Sequence, residues 1–300
     1  MGWRSVMISR PAKLRREHFS LAIEQEQTAF VPFEDIAVIV LNHREIVLTH
    51  PVLSACADYG IGLYATGDNH QPSGVFLPFL AHSRTTRLMR KQMDIPRPLA
   101  KQAWANIIRR KIENQSAVLS FCAKTGVDRM DSYTRRVRSG DQENLEGQAA
   151  AFYFTQLFGQ GFYRAEKRWV NAALDFGYAI LRGAIARGLV AHGMHPPIGL
   201  FHASEQNAFN LADDLIEPFR PLIDLYVAKH PAMVEGELTP QDKAALVSLL
   251  NVDMGMPQGK MSALSAIEYA VESLARLFEQ GDSALELPTL IGLQAHVLEC

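Results

Sequence analysis

Residues 199–221 read GLFHASEQNAFNLADDLIEPFRP, and this segment joins a regular apolar pattern to many side chains that can bind metals or anions. The apolar spacing predicts one amphipathic helix from Ser204 to Lys229, with Ser204 as its N-cap. Asp214 and Glu217 lie three positions apart, so on that helix they would share a face. His202 lies just upstream, so a site near the N-terminal end of the helix could contain an imidazole and one or two carboxylates.

The residue types in this segment limit which metal they could bind. Carboxylate oxygens favour Mg²⁺ or Mn²⁺, and an imidazole extends the range towards Fe²⁺ and Zn²⁺. An exposed helix often has a charged face of solvated side chains, and a histidine before a helix is often a cap or a core residue. The segment alone leaves both interpretations open.

The composition is that of an ordinary globular protein. The chain has 300 residues, of which 48% are hydrophobic and 21% charged, and its formal net charge is −2. This charge argues against a histone-like nucleic-acid binder but allows local basic patches. The three cysteines form no CxxC pair, which fits a reducing compartment. With no apolar run long enough to cross a bilayer and no signal-peptide pattern, we expect a cytoplasmic protein without a membrane partner.

The apolar periodicity changes along the chain, and this change predicts an α+β fold. Residues 1–75 show alternating and β-branched runs, such as DIAVIVL at 35–41, and predict a small β-rich N-terminal domain. Residues 76–84 are predicted to be a linker, and 85–300 a larger all-α C-terminal domain. The helices are predicted over 97–124, 144–158, 169–187, 204–229, from Thr239 onward, and over 261–280. Residues 287–299 also have some helical pattern.

Basic residues cluster in three places, at 84–111, 135–138 and 164–168. In a chain that is nearly neutral overall, such clusters indicate an anionic partner, and a phosphate backbone fits best. The alternative is a set of helices whose lysines and arginines are simply solvated. The candidate DNA-binding residues are Arg84, Arg87, Arg90, Lys91, Arg109, Arg110, Arg164 and Arg168.

A further carboxylate, Glu146, lies among small residues in the segment DQENLEGQAAA. Gly147 in a helix costs about 1 kcal/mol relative to alanine. We therefore expect Gly147 to serve close helix packing or access to a site. The alternative is simple helix packing with Glu146 facing the solvent.

Motifs along the whole chain resemble the CRISPR-associated spacer integrase family, the first-numbered Cas protein, in its type II-like branch. In the first part, the resemblance rests on MGWRSV, PFEDIAVIVL, EIVLTHPVLSACADYGIGLYAT and QPSGVFLPF. In the second part, it rests on NLEGQAAAFYF, on PPIGLFHASEQNAFNLADDLIEPFRP and on ELTPQDK. The order of these motifs, with the long histidine- and acid-containing one after EGQAA, is what makes the match specific.

The resemblance implies a catalytic metal site formed by Glu146, His202 and Glu217, with Mg²⁺ or Mn²⁺ as cofactor. Many relatives have Asp where this chain has Glu217, and the longer side chain should still reach a divalent ion. Asp214 matches an acid that is often present one turn earlier. Asn207 and Arg220 are further candidates for substrate positioning.

The resemblance also implies a reaction and partners. The 3′-hydroxyl of incoming double-stranded DNA would attack a phosphodiester at the CRISPR repeat, with hydrolysis as a second activity of the same site. The chain would form a homodimer through its β-rich part and assemble with the small second-numbered Cas protein. Three other functions stay open: a metal-dependent nuclease that only hydrolyses nucleic acid, a non-catalytic DNA-binding scaffold, and a helical small-molecule enzyme.

Overall fold

A computed structural model describes residues 4–67, 72–78, 82–230, 237–281 and 284–296. The N-terminal part contains two four-stranded sheets. In chain order the strands are β1 (Arg4–Ile8), β2 (Ala12–Glu17), β3 (Ser20–Glu24), β4 (Thr28–Pro32), β5 (Ile36–Leu41), β6 (Ile46–Leu48), β7 (Gly62–Thr66) and β8 (Pro72–Phe76). The first sheet has the order β1-β5-β7-β8 and the second the order β4-β3-β2-β6.

Strand β5 forms the centre of this part, as its β-branched run predicts. It pairs in parallel with both β1 and β7, and Ile36 to Val40 are at most 1% exposed. Ile36 and Ile39 pack into a core shared with the second sheet, whereas Val38 and Val40 belong to the core of the helices. Apolar side chains on both faces of a strand are typical of a buried, mainly parallel sheet.

Ten helices are found in the described part of the chain. Their bounds are α1 (His50–Asp58), α2 (Thr85–Met93), α3 (Arg97–Phe121), α4 (Val127–Arg136), α5 (Leu145–Phe158), α6 (Trp169–Ala191), α7 (Asn210–Leu215), α8 (Arg220–Lys229), α9 (Pro240–Ser248) and α10 (Ala263–Gln280). Thr239 and Asp242 form the capping box of α9, where their spacing in the sequence predicts it. None of the described helices is long and apolar enough to cross a membrane.

The C-terminal part is not purely helical, so the prediction of an all-α domain was wrong in this detail. Strands β9 (Val252–Met256), β10 (Gly259–Ser262) and β11 (Thr289–Ala295) form a three-stranded antiparallel sheet. Along β9, buried residues alternate with partly exposed ones, which is the period of a strand. The helical pattern over 287–299 was also wrong where the chain is described, because residues 289–295 pair with β9. Residues 297–299 lie outside the described part.

The single helix predicted over 204–229 is two short helices with a turn at 216–219 between them. Pro218 lacks an amide hydrogen, so it cannot donate to the carbonyl of Asp214 as a continuous helix requires. The predicted start at Ser204 was also wrong, because α7 begins at Asn210. As a result, Glu217 lies in the turn rather than on the helix face of Asp214.

The first sheet packs directly on the long helix α6. Gly183 of α6 faces the ring of Tyr64 from β7 so closely that a methyl group at Gly183 would overlap the ring. Arg187, also on α6, donates to the carbonyl of Gly60 at 2.7 Å. These contacts join the β-rich part to the helices. The boundaries 1–75, 76–84 and 85–300 remain predictions, and residues 79–81 of the proposed linker lie outside the described residues.

Candidate active site

The backbone of Glu146 is fixed at the first turn of α5 by a capping network. Both carboxylate oxygens of Asp141 accept hydrogen bonds, one from the Leu145 amide and one from the Glu146 amide, each at 2.9 Å. Asn144, the N-cap, has a left-handed backbone with φ of 50°, and its side chain accepts from the Gly147 amide. A Cβ at Gly147 would lie 2.9 Å from the Asn144 side chain. Gly147 therefore makes room for this cap, not for access to a site.

Glu217 occupies the turn between α7 and α8 and is 6% exposed. Asn114, from the middle of α3, donates from its side-chain nitrogen to the carbonyl of Pro218 at 2.7 Å. The same amide group also donates to Pro288 and accepts from Leu290, at 3.0 Å each. Asn114 therefore anchors both the turn that carries Glu217 and the start of β11.

Lys111, also on α3, brings the two glutamates together. Its ammonium forms an ion pair with Oε1 of Glu146 and another with Oε2 of Glu217. Two oxygens that contact the same nitrogen lie within about 6 Å of each other. The lysine side chain is 8% exposed and that of Glu217 is 7% exposed, whereas that of Glu146 is 32% exposed. The cluster thus has a buried floor and an open side.

The charges of this cluster stabilise one another. Burial alone would lower the pKa of Lys111, but the carboxylates of Glu217 and Glu146 outweigh it and raise the pKa above its ordinary value. Burial alone would raise the pKa of Glu217, but Arg220 and Lys111 outweigh it and lower the pKa. Both groups are therefore charged near neutral pH.

His202 is oriented by Asp214, which is fully buried. The Nδ1 atom of His202 lies 2.7 Å from Oδ1 of Asp214, which leaves Nε2 to face another ligand. The same carboxylate accepts the backbone amides of Leu200, Phe201 and His202 at 2.6, 3.1 and 3.1 Å. The hydrogen bond to Asp214 raises the pKa of His202, burial opposes this shift, and the negative charges of Asp214 and Glu217 add to it.

The loop that carries His202 wraps tightly around this carboxylate. At Gly199 a Cβ would lie 2.8 Å from Oδ2 of Asp214, so only glycine allows the backbone to approach so closely. Phe201 stacks on Trp104 of α3 with ring centroids 4.3 Å apart, and the His202 ring meets Trp104 edge-on at 5.7 Å. Asp214 and Trp104 together fix the orientation of the imidazole.

The two further candidates lie near this site but differ in their contacts. Arg220 approaches Oε1 of Glu217 at 3.1 Å through its Nε, and its guanidinium lies over the ring of Tyr178 at 4.8 Å. Asn207 donates to Asp213 at 2.7 Å and accepts from the Phe209 amide at 3.0 Å. Arg220 therefore belongs to the carboxylate cluster, whereas the contacts of Asn207 order the loop before α7.

The residues present fit a divalent metal ion. Among the described residues, no three acidic, histidine or cysteine side chains form a ready metal cage. However, Oε2 of Glu217 is buried and faces the ammonium of Lys111, a cation at the place where a metal ion would be bound. Two carboxylates and an imidazole form a donor set suited to Mg²⁺ or Mn²⁺. The Asp214–His202 bond is the support that metal-bound histidines usually have.

The basic residues predicted to bind DNA fall into two groups. Arg109 donates to Val137 and Asn106, Arg110 to Thr289, and Arg164 to Asn171, so these three already have partners within the protein. The exposed group consists of Arg84, Arg87, Arg90, Lys91 and Arg168, of which Arg168 pairs with Glu166. Arg87, Arg90 and Lys91 line a cleft of about 460 Å³ between α2 and the end of α10. Their role in DNA binding remains a prediction.

Lys111 belongs to the basic cluster at 84–111 that is predicted to meet an anionic partner, whereas the structure places it at the centre of the site. A signal was available in the sequence. Lys111 follows Ile107 by four positions and Ile108 by three, so it falls on the apolar, buried face of α3. A lysine on such a face needs buried anionic partners.

Comparison with known proteins identifies the family. A family model described as CRISPR associated protein Cas1 matches residues 6–242. A curated relative from Neisseria meningitidis serogroup C, named CRISPR-associated endonuclease Cas1, is 41% identical over the full length of both chains. The chain therefore belongs to the Cas1 family, as its motifs predict, and the type II-like branch remains a prediction.

Solved structures share the fold at low sequence identity. A casposase bound to its integration product aligns with a TM-score of 0.77 and 17% identity, covering 95% of this chain and 92% of that one. A chain of a partial Cas6-RT-Cas1–Cas2 complex aligns with a TM-score of 0.63 and 16% identity, covering 96% and 98%. Strands in the N-terminal part and mainly helices in the C-terminal part are thus an architecture found in other proteins.

Proposed function

We propose that this Cas1-family chain is a metal-dependent DNA endonuclease and integrase that inserts spacer DNA into a CRISPR array. The observation that carries the proposal is the convergence of Glu146 and Glu217, from different elements, on one buried cation, near enough to His202 for the charge of Glu217 to help raise the pKa of its imidazole. The endonuclease name of the relative from Neisseria meningitidis and the fold shared with a casposase support it.

The proposed site would hold one Mg²⁺ or Mn²⁺ through Glu146, Glu217 and Nε2 of His202. A bound divalent ion would activate the attacking oxygen and offset charge at the phosphorus. Asp214 keeps the imidazole aimed at the site and is a positioning residue. Arg220 adds positive charge beside Glu217, where it would attract a DNA phosphate.

The substrates and partners of the proposal follow from the family and from the surface. Double-stranded DNA would bind along the exposed arginines of α2, and its affinity should fall as salt rises. Phe30 and Val47, 54% and 60% exposed, share the outer face of the second sheet, which supports a homodimer through the β-rich part. The neighbour described as a partial Cas6-RT-Cas1–Cas2 complex supports assembly with the small second-numbered Cas protein.

A strand-transfer assay tests the proposal. The protein is mixed with its Cas2 partner, 3′-hydroxyl DNA duplexes, a plasmid carrying the CRISPR repeat, and Mn²⁺. We expect covalent joining, and we expect Glu146→Gln, His202→Ala and Glu217→Gln each to abolish it while DNA binding persists. Nicking without joining would favour the nuclease that only hydrolyses. Full joining by all three variants would refute the site.

A control separates loss of chemistry from loss of structure. Glu143 lies just before α5 and pairs only at the surface with Arg136, at 2.5 Å and with its side chain 51% exposed. Glu143→Gln removes a carboxylate three residues from Glu146, and its stability cost should stay below about 1 kcal/mol. We expect this variant to join DNA as the unmodified protein does.

A further inference from the structure

The charges around the two glutamates balance before any metal binds. Glu146 and Glu217 contribute two negative charges, and Lys111 and Arg220 contribute two positive charges in direct contact with them. Asp214 is paired separately with His202. The two carboxylates are therefore neutralised by the protein itself.

The position of Lys111 places its charge where it competes with a metal ion. The ammonium contacts both carboxylates at once, through Oε1 of Glu146 and the buried Oε2 of Glu217. The lysine lies at the buried floor of the cluster, while Glu146 is partly exposed on its open side. A divalent ion entering from the open side meets carboxylates whose charge is already compensated.

We propose that Lys111 is a positioning residue that makes divalent-metal binding at this site depend on DNA. The inference rests on the metal site of the proposed function. A divalent ion added to a neutral cluster leaves excess positive charge at a partly buried position, which is unfavourable. The negative charge of a DNA phosphate at the same position offsets this excess. Metal and DNA therefore bind with positive cooperativity, and each raises the affinity of the other by the same factor.

The lysine also has a role before the metal binds. Without Lys111 and without a metal, the two glutamates would face each other with only Arg220 as a cation, and the like charges would repel until a divalent ion took the place of the lysine. Lys111 thus keeps the carboxylates assembled while the site waits for substrate. The site would therefore take up its metal ion fully only where a DNA phosphate is present. This limits hydrolysis when the protein holds metal but no DNA in the proper position.

Titration with Mn²⁺, followed by electron paramagnetic resonance of the free ion, tests this inference without any reaction. It uses the full chain with and without a duplex whose 3′ ends are dideoxy. For the unmodified protein we expect the duplex to tighten Mn²⁺ binding by about tenfold or more. Lys111→Met removes the charge at similar length, and we expect it to bind Mn²⁺ about tenfold more tightly without DNA and to lose most of the coupling.

Two further variants serve as controls. Lys101→Met removes an exposed lysine from the same helix and should leave both Mn²⁺ affinity and coupling unchanged. Lys111→Arg keeps the charge and should keep the coupling, as long as circular dichroism shows a folded protein. If Lys111→Met does not fold, the inference is still tested by the effect of DNA on Mn²⁺ affinity in the unmodified protein and in Lys111→Arg. Absence of that effect in both proteins would overturn it.

The outcomes distinguish the inference from the proposed function. Equal Mn²⁺ affinity in Lys111→Met and the unmodified protein would overturn the role of Lys111 while leaving the metal site intact. Tight Mn²⁺ binding to the unmodified protein that DNA does not change would do the same. Absence of Mn²⁺ binding in every protein, with or without DNA, would overturn the metal site itself.

Discussion

Replacing Asp214 by Asn should separate the support of the site from its metal ligands. The carboxylate of Asp214 accepts four hydrogen bonds, three from backbone amides and one from the His202 ring, and it is fully buried. An asparagine keeps one acceptor oxygen and turns its amide nitrogen towards two of these donors. A hydrogen bond to a charged group contributes about 1.5–3 kcal/mol. Losing two, with some relaxation of the loop, should cost about 3 kcal/mol.

This cost is large compared with the roughly 5–15 kcal/mol that stabilises a typical domain. The assay is urea unfolding followed by circular dichroism, with strand joining measured on the folded variant. We expect joining to fall by about 10–100-fold, because a metal-bound histidine without its supporting carboxylate is poorly oriented. Mn²⁺ should still bind, with lower affinity, because Glu146 and Glu217 are unchanged.

Asp213→Asn is the matched control for this experiment. Asp213 is the neighbouring acid, accepts one hydrogen bond from Asn207 and lies 3.8 Å from Arg182. Its replacement should cost less than about 1 kcal/mol, the value for a partly exposed ion pair. Equal stability loss in Asp213→Asn and Asp214→Asn would refute the assignment of Asp214 as the anchor of the His202 loop.

Three further predictions concern the frame around the site. Burial raises the pKa of Asp224 to about 6, although hydrogen bonds from two tyrosines oppose the shift. The unfolding free energy should therefore fall by up to about 3 kcal/mol as the pH rises from about 4 to about 6. Asp224→Asn should abolish this fall, as measured by unfolding titrations at each pH. Gly183→Ala should destabilise the protein by about 1–3 kcal/mol because of the tyrosine ring it faces, whereas Gly188→Ala, whose Cβ would lie 3.2 Å from its neighbour, should change stability by less than about 1 kcal/mol. Asn114→Ala should lower both stability and joining, because the turn that carries Glu217 loses its anchor, and an unchanged joining rate would contradict that role.

The direction of the Asp224 effect follows from proton binding. The folded protein holds this proton up to about pH 6, whereas an unfolded aspartate releases it near pH 4. Between these values the folded state binds more protons, so its stability decreases as pH rises. Tyr153 and Tyr178 donate to the carboxylate, and an asparagine oxygen can accept in its place.

Local sequence patterns predicted most of the secondary structure, and tertiary contacts explain where they did not. The β-branched run DIAVIVL and the capping box at Thr239 act within a few residues, and both elements formed as predicted. The break at 216–219 depends on Pro218, which interrupts the helix although the apolar stripe continues past it. Strand β11 forms by pairing with β9, about 35 residues away, which a local pattern cannot show.

The candidate site shows a similar division. The residues Glu146, His202 and Glu217 came from the family resemblance, and their assignment as ligands remains a prediction. Spacing along the chain gave no indication that Glu146 and Glu217 meet at Lys111, because that contact depends on the packing of α3, α5 and the 216–219 turn. The role of Asp214 could not be read from spacing either, since the loop before it folds back over its carboxylate.

Anomalous diffraction from a crystal of the protein with Mn²⁺ and a DNA duplex tests the central claim most directly. We predict one strong peak within about 2–2.5 Å of a carboxylate oxygen of Glu146, a carboxylate oxygen of Glu217 and Nε2 of His202. A fully occupied Mn²⁺ ion elsewhere on the DNA-bound protein, with none between these three side chains, would contradict the account.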